Sequence, residues 1–121
     1  MKFITKQIHA YLDYPVAVAL MVLPFVLGLG ESHPLALQLS VATGVAALIL
    51  TLLTDHDTGV IKVLSYKFHL IVDFLVAVVF VLAPFILGFK GIDAIYYWIN
   101  GAAVLTVVSL HRPEPAGTIT A

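Results

Sequence analysis

The chain contains no cysteine and little charge. Without cysteine there is no disulfide, thiolate nucleophile, iron–sulfur cluster or Cys-ligated zinc to consider. Seven acidic and six basic residues leave 11% of the chain charged, against about 25% in a typical soluble domain. A formal net charge of −1 leaves no basic stripe for nucleic acid, so no nucleic-acid partner is expected. Catalytic signatures are missing as well. There is no His-Glu-x-x-His, no Gly-rich phosphate loop and no serine nucleophile elbow, so the chain is not expected to be an enzyme.

What fills the chain instead is apolar: 61% of its 121 residues are hydrophobic, and the mean hydropathy is +1.07. A water-soluble domain of this size must cover its surface with polar groups, and thirteen charges do not suffice. Lipid is the solvent that tolerates this composition. Lys2 and Lys6 ahead of an apolar run have the look of a secretory signal. The run is too long for a signal core, however, and a second version of it sits mid-chain. It is therefore expected to stay as a membrane helix.

That second version organises the sequence. His9 to Gly28 reads HAYLDYPVAVALMVLPFVLG, and sixty residues on His69 to Gly88 reads HLIVDFLVAVVFVLAPFILG. His, Asp, Val-Ala-Val, Pro-Phe and Leu-Gly recur in register. Each copy is followed by a turn and another apolar run. The first is Leu35 to Thr54, after Glu31-Ser32-His33-Pro34, and the second is Ala94 to Leu110, after Lys90-Gly91-Ile92-Asp93. Thr43-Gly44 with Ala46 aligns with Asn100-Gly101 with Ala103 at an offset of fifty-seven. None of the runs shows a polar face every three to four residues, as a soluble bundle would. About twenty residues of helix span a hydrocarbon core of about 30 Å.

The expected fold is all-α: four transmembrane helices as two tandem, parallel-related helical hairpins in a single membrane domain, 1–121. The first hairpin repeat is 9–54 and the second 68–110. A connector, Val60 to Lys67, joins them, and 111–121 is expected to be a disordered tail. Gly28 and Gly30 suit the end of the first helix, Ser32 its successor's N-cap and Pro34 the next first turn. Lys2, Lys6, Lys62, Lys67 and Arg112 fall on one side of this topology and only Lys90 on the other. Both termini and the connector are therefore expected in the cytoplasm. Two spans per copy give both copies one orientation, with a pseudo-twofold axis along the membrane normal.

Pro24-Phe25-Val26-Leu27-Gly28, Pro84-Phe85-Ile86-Leu87-Gly88 and Asn100-Gly101 resemble the SPW-repeat family of small bacterial integral membrane proteins, with Leu-Pro-Phe and Ala-Pro-Phe where that family has Ser-Pro-Trp. The resemblance spans most of the chain. It implies two hairpins in the bacterial inner membrane and no particular chemistry.

The candidate chemistry is a His-x-x-x-Asp pair in each copy, His9 with Asp13 and His69 with Asp73. Residues four apart share a helix face, and a carboxylate inside a membrane is costly without a partner. Meeting at the twofold, these four residues would make a divalent-metal or small-ligand site at the cytoplasmic face. His56 and His111, with Asp55 and Asp57, lie on the same side. The competing expectation is structural: Asp13 and Asp73 as caps in the first turns of their helices, with Pro15 starting the first helix and taking His9 off it. Haem between His9 and His69 is disfavoured because both lie at the interface.

Pro24 and Pro84 each free a carbonyl four residues earlier, on Leu20 and Phe80, and in lipid that carbonyl needs a donor. Asn100 is the expected donor to Phe80, with Thr43 at the matching position. Gly44 and Gly101 are expected to let helices approach closely. These five, Pro24, Pro84, Gly44, Asn100 and Gly101, are expected to be structural. Beyond the lipid bilayer, the expected partner is another copy of the chain or another membrane protein. The leading functional expectation is a structural or accessory role through helix contacts, without a cofactor. Metal-ion or small-ligand binding by His9, Asp13, His69 and Asp73 is the alternative, and transport or conduction by an oligomer is a third.

Overall fold

The computed structural model describes residues 6–54, 59, 61 and 63–110. Four helices follow one another: α1 (Lys6–Val26), α2 (Leu35–Leu53), α3 (Tyr66–Leu87) and α4 (Ile92–Ser109). Helices α2, α3 and α4 are each long and apolar enough to cross a membrane. The apolar part of α1, Tyr11–Val26, is shorter, about 24 Å at about 1.5 Å per residue. Phe25, Val26, Phe85 and Ile86 stand exposed on the outside, as lipid permits. The chain is an all-helical membrane protein. Lys2, Asp55, His56, Asp57, Lys62 and the tail 111–121 with His111 and Arg112 lie outside the described residues. So does the side chain of His9, whose backbone belongs to α1.

Helix α1 packs along α2, and α3 along α4, so the chain forms two hairpins. In each, a glycine sits at a close approach of the two helices. A Cβ on Gly44 would lie 2.6 Å from Met21 Cγ and 2.8 Å from the Ala17 carbonyl oxygen. A Cβ on Gly101 would lie 2.7 Å from Val81 Cγ2 and 3.1 Å from the Ala77 carbonyl oxygen. Helices in lipid gain little from apolar contact with each other, so packing this close must come from small residues. The turn after α1 needs left-handed backbone at Gly28 and Gly30, with φ of 68° and 110°.

The helix starts correct three expectations. Pro15 lies inside α1 and does not begin it, so His9 stays on the helix. Asp13 and Asp73 are each seven residues into their described helices, too deep to cap the first turn. Ser32 does not cap α2: the Leu35 N–H donates to His33 Nδ1 at 3.0 Å, and Ser32 turns to the other hairpin. There Asp93, fully buried at the start of α4, accepts from the Gly30 N–H (3.0 Å), the Ser32 N–H (3.0 Å) and the Ser32 hydroxyl (2.5 Å). The Lys90 N–H completes the joint by donating to Ser32 Oγ at 3.0 Å. One carboxylate thus fastens the two hairpin turns together.

A buried cluster lies just beneath this joint, with Phe80, Phe89 and Tyr97 at its centre. The Tyr97 ring centroid is 4.5 Å from Phe80 and 4.9 Å from Phe89, and its hydroxyl donates to the Ala36 carbonyl at 2.7 Å. The carbonyl that Pro24 frees on Leu20 is met by Ser40 Oγ at 2.8 Å. Ser40 spends its single proton there, so the Tyr96 hydroxyl, 2.6 Å away, is the donor to Ser40. Asn100 does something else than expected. Its Nδ2 donates to the Tyr96 carbonyl of its own helix at 2.8 Å, and not to Phe80. An amide four residues along a helix from a carbonyl reaches it without crossing to a neighbour, and that local bond wins.

Gly44→Ala is expected to destabilise the protein by about 1–3 kcal/mol through overpacking, read as a lower melting temperature in detergent. An unchanged melting temperature would mean that α1 and α2 do not meet at Gly44. Asp93→Ala is expected to cost about 1–3 kcal/mol for each N–H group left unpaired and to speed hydrogen exchange at the Gly30 and Ser32 amides. Exchange no faster than in the parent would show that the carboxylate does not hold the turns.

Candidate functional site

The opposite end of the bundle carries the chain's one cluster of metal-ligating side chains among the described residues. It begins with the start of α3. Ser65 is extended and its Oγ accepts from the Phe68 N–H at 3.0 Å, fixing the first turn. His69 then falls one turn in, facing inward, and Asp73 one turn further on the same face. Asp13 arrives from α1. His69 Nε2 lies 3.4 Å from Asp13 Oδ2 and 3.4 Å from Asp73 Oδ2. The His69 side chain is 2% exposed, Asp13 11% and Asp73 20%.

The ring's other nitrogen is held by Thr54, the residue that ends α2. Thr54 Oγ1 donates to the Leu50 carbonyl at 2.5 Å and lies 2.7 Å from His69 Nδ1. A hydroxyl has one proton, and this one is committed to Leu50. The hydrogen-bond network therefore assigns the proton at the imidazole to Nδ1, which donates to Thr54. Thr54 is itself anchored. It pairs with Leu64 in an isolated bridge, and the returning chain satisfies the last carbonyls of α2 through Ile61 N–H to Leu52 (2.9 Å) and Val63 N–H to Leu53 (3.0 Å). Helix α2 thereby positions the ring, α3 carries it, and α1 brings the second carboxylate.

With Nδ1 protonated, Nε2 presents either a lone pair or a second proton to the two carboxylates. Both separations are within ion-pair range and longer than the roughly 2.7–2.9 Å of a short charge-assisted N–H···O bond. A tetrahedral cation with bonds of about 2.0–2.2 Å sets its ligand atoms about 3.3–3.6 Å apart. Both Nε2 distances match that edge, and all three ligand atoms lie within 4.8 Å of one another. Two carboxylates at such separation repel by about 3–4 kcal/mol at an effective dielectric of about 20, and a cation between them reverses the sign.

The cluster stands at one end of a cleft of about 630 Å³ between the four helices. The walls are apolar side chains from every helix, among them Val16, Leu20, Ile49, Leu50, Val76 and Val107. Thr51 also lines it, but its hydroxyl is turned back to the Ala47 carbonyl at 2.8 Å. The cleft lies between the hairpins, which touch each other far less than the two helices within each do.

Of the four candidate ligands, the structure brings Asp13, His69 and Asp73 together; the His9 side chain lies outside the described residues. Thr54 is the residue that the sequence did not disclose. It is fifteen positions from His69 and carries no spacing signal, only the general habit of threonine to bond back to its own helix. No protein-family model, curated protein or solved structure matches the chain.

Thr54→Val keeps the shape and removes the acceptor. It is expected to cost about 1–3 kcal/mol by stranding the Nδ1–H and to redistribute the ring proton, seen in the ring-nitrogen NMR shifts of His69. Shifts that stay at the Nδ1–H pattern with unchanged melting would show that Thr54 does not set the tautomer.

Proposed function

We propose that the protein is a divalent-cation-binding membrane protein whose site is Asp13, His69 and Asp73. One observation carries this. Carboxylates from two different hairpins stand at 3.4 Å from the same imidazole nitrogen, within ion-pair range and at the edge length of a tetrahedral cation site. A nitrogen with two oxygens suits zinc or a similar first-row ion. Thr54 does for His69 what partners of ligating histidines generally do: it holds the other N–H, and with it the ring.

The bases of the sequence support a topology with this site at the cytoplasmic side, where Lys67 lies one residue before Phe68 and two before His69. The SPW-repeat resemblance supports the bacterial inner membrane. In this proposal the two hairpins descend from one duplicated unit, and the site forms because each copy contributes an Asp at the same helix position. A structural or accessory role through helix contacts is the second proposal. It is favoured by the exposed belt of Phe25, Val26, Phe85 and Ile86 near the hairpin turns. Crosslinking of the full chain in native membranes, with Phe85 and Ile86 replaced by alanine as the control, tests that role.

Calorimetric titration of the chelator-treated protein with Zn²⁺ or Mn²⁺ in detergent is expected to show one cation per chain. Asp13→Asn and Asp73→Asn are each expected to weaken binding by at least the order of 10–100-fold that loss of an orienting partner produces. Affinity is expected to fall as pH falls, because protons compete for the imidazole and the carboxylates. Heat of dilution alone, or a binding isotherm that both variants leave intact, removes the proposal.

A further inference from the structure

Halfway along the bundle two polar side chains keep hydrogen-bonding capacity that the protein does not use. Thr43 and Asn100 are each the ninth residue of their helices, α2 and α4, about 12 Å from the helix starts. Thr51 and Thr106 turn their hydroxyls back to the carbonyl four residues earlier, each at 2.8 Å. Thr43 does not, and its hydroxyl makes no hydrogen bond among the described residues. Asn100 Nδ2 donates to the Tyr96 carbonyl, which leaves one N–H and Oδ1 without a partner among the described residues. At this depth hydrocarbon solvates none of these groups.

Both side chains face the gap between the hairpins. Ser40 and Tyr96 meet across that gap, with their hydroxyl oxygens 2.6 Å apart. Thr43 is three residues past Ser40 and Asn100 four past Tyr96, so each lies one turn deeper on the same helix face. Thr43 lines the cleft of about 630 Å³, a volume within the range of about 300–1,000 Å³ usual for small-ligand sites. Asn100 lines an adjoining recess of about 20 Å³, room for one oxygen-sized group. Val16, Leu20, Val76 and Val104 border both spaces.

The chemistry of an occupant follows from these walls. The ionisable residues lining the cleft, Asp13, His69 and Asp73, stand at its far end. Nothing beside Thr43 and Asn100 pairs with a charge, and an unpaired charge is costly at this depth. A hydroxyl and an amide N–H can both donate to one oxygen. A water molecule accepts such bonds but leaves the apolar walls unfilled. An oxygen carried on an apolar body satisfies the donors and the walls together.

We infer that the cleft receives an uncharged apolar molecule with a hydrogen-bond-accepting oxygen, the oxygen held between Thr43 and Asn100 and the apolar body against the walls of α1 to α4. The inference does not draw on the cation site, and its test is run on chelator-treated protein so that either can fail alone.

Benzophenone, an apolar ketone that labels neighbouring C–H groups on irradiation, serves as the probe. The full chain in phosphatidylcholine nanodiscs is titrated with benzophenone carrying ¹³C at the carbonyl. Saturable labelling is expected, mapped by mass spectrometry to Leu20, Val76 and Val104. The carbonyl stretch of the bound probe is expected below its value in empty nanodiscs, as hydrogen bonding requires. Thr43→Val combined with Asn100→Leu is expected to keep the helical circular dichroism, to weaken binding by about tenfold and to return the stretch to the empty-nanodisc value. Labelling that does not saturate, or that falls outside the cleft walls, overturns the inference. So does equal binding by the double variant. The stretch in the parent protein needs no variant: a saturably bound probe whose carbonyl is unshifted overturns the assignment to Thr43 and Asn100.

Discussion

Helices surrounded by lipid cannot be driven together by expelling water, because the lipid tails are as apolar as the helices. What they lose by separating is a partner for each polar group that hydrocarbon will not solvate. This constraint explains where the two hairpins of the chain are joined. At the turn end, Asp93 takes three hydrogen bonds from Gly30 and Ser32. Below it, Tyr96 reaches Ser40 and Tyr97 reaches the Ala36 carbonyl. At the other end, His69 lies against Thr54, Asp13 and Asp73. All of these but the His69–Asp73 pair, which lies within α3, cross from one hairpin to the other. Between the two ends the walls of the cleft are apolar apart from Thr43 and Thr51, and α2 and α3 touch little.

Within a hairpin the rule is different, and it shows in the sequence. The turn is short, the helices must run side by side, and small residues set how near they come. Gly44 and Gly101 stand out in apolar runs for that reason, as do the glycines that turn the chain. The helices themselves were legible from composition and from the lengths of the runs. Their starts were less so. Pro15 reads as a helix start by its local preference, yet the turn before it is helical. A proline costs one backbone bond, and the surrounding helix can carry that loss.

The candidate site was half legible. The spacing of His69 and Asp73 places them on one face by helix geometry alone, and the matching position of Asp13 names the carboxylate that meets them. The bonds across hairpins were not legible, because nothing in the order of residues ties Thr54 to His69, Ser40 to Tyr96 or Ser32 to Asp93. Asn100 shows the same difficulty from the other side. A donor near a carbonyl freed by proline is a reasonable pair on paper, but Tyr96 of its own helix is nearer. The sequence correspondence at an offset of fifty-seven also pairs Asp93 with Ala36 and Ser40 with Tyr97. The residues that tie the hairpins at the turn end therefore have no like residue at the corresponding position of the other hairpin, and the bonds between the hairpins depend on where the two differ.

The cleft follows from the same physics. In water the hydrophobic effect would favour closing an apolar space of about 630 Å³. In a bilayer no such force closes it, since an acyl chain fills it as readily as a side chain does. The polar ties at the two ends therefore have to resist only van der Waals attraction to hold α2 and α3 apart. The ionisable residues that line this space are Asp13, His69 and Asp73, and all three stand at one end of it.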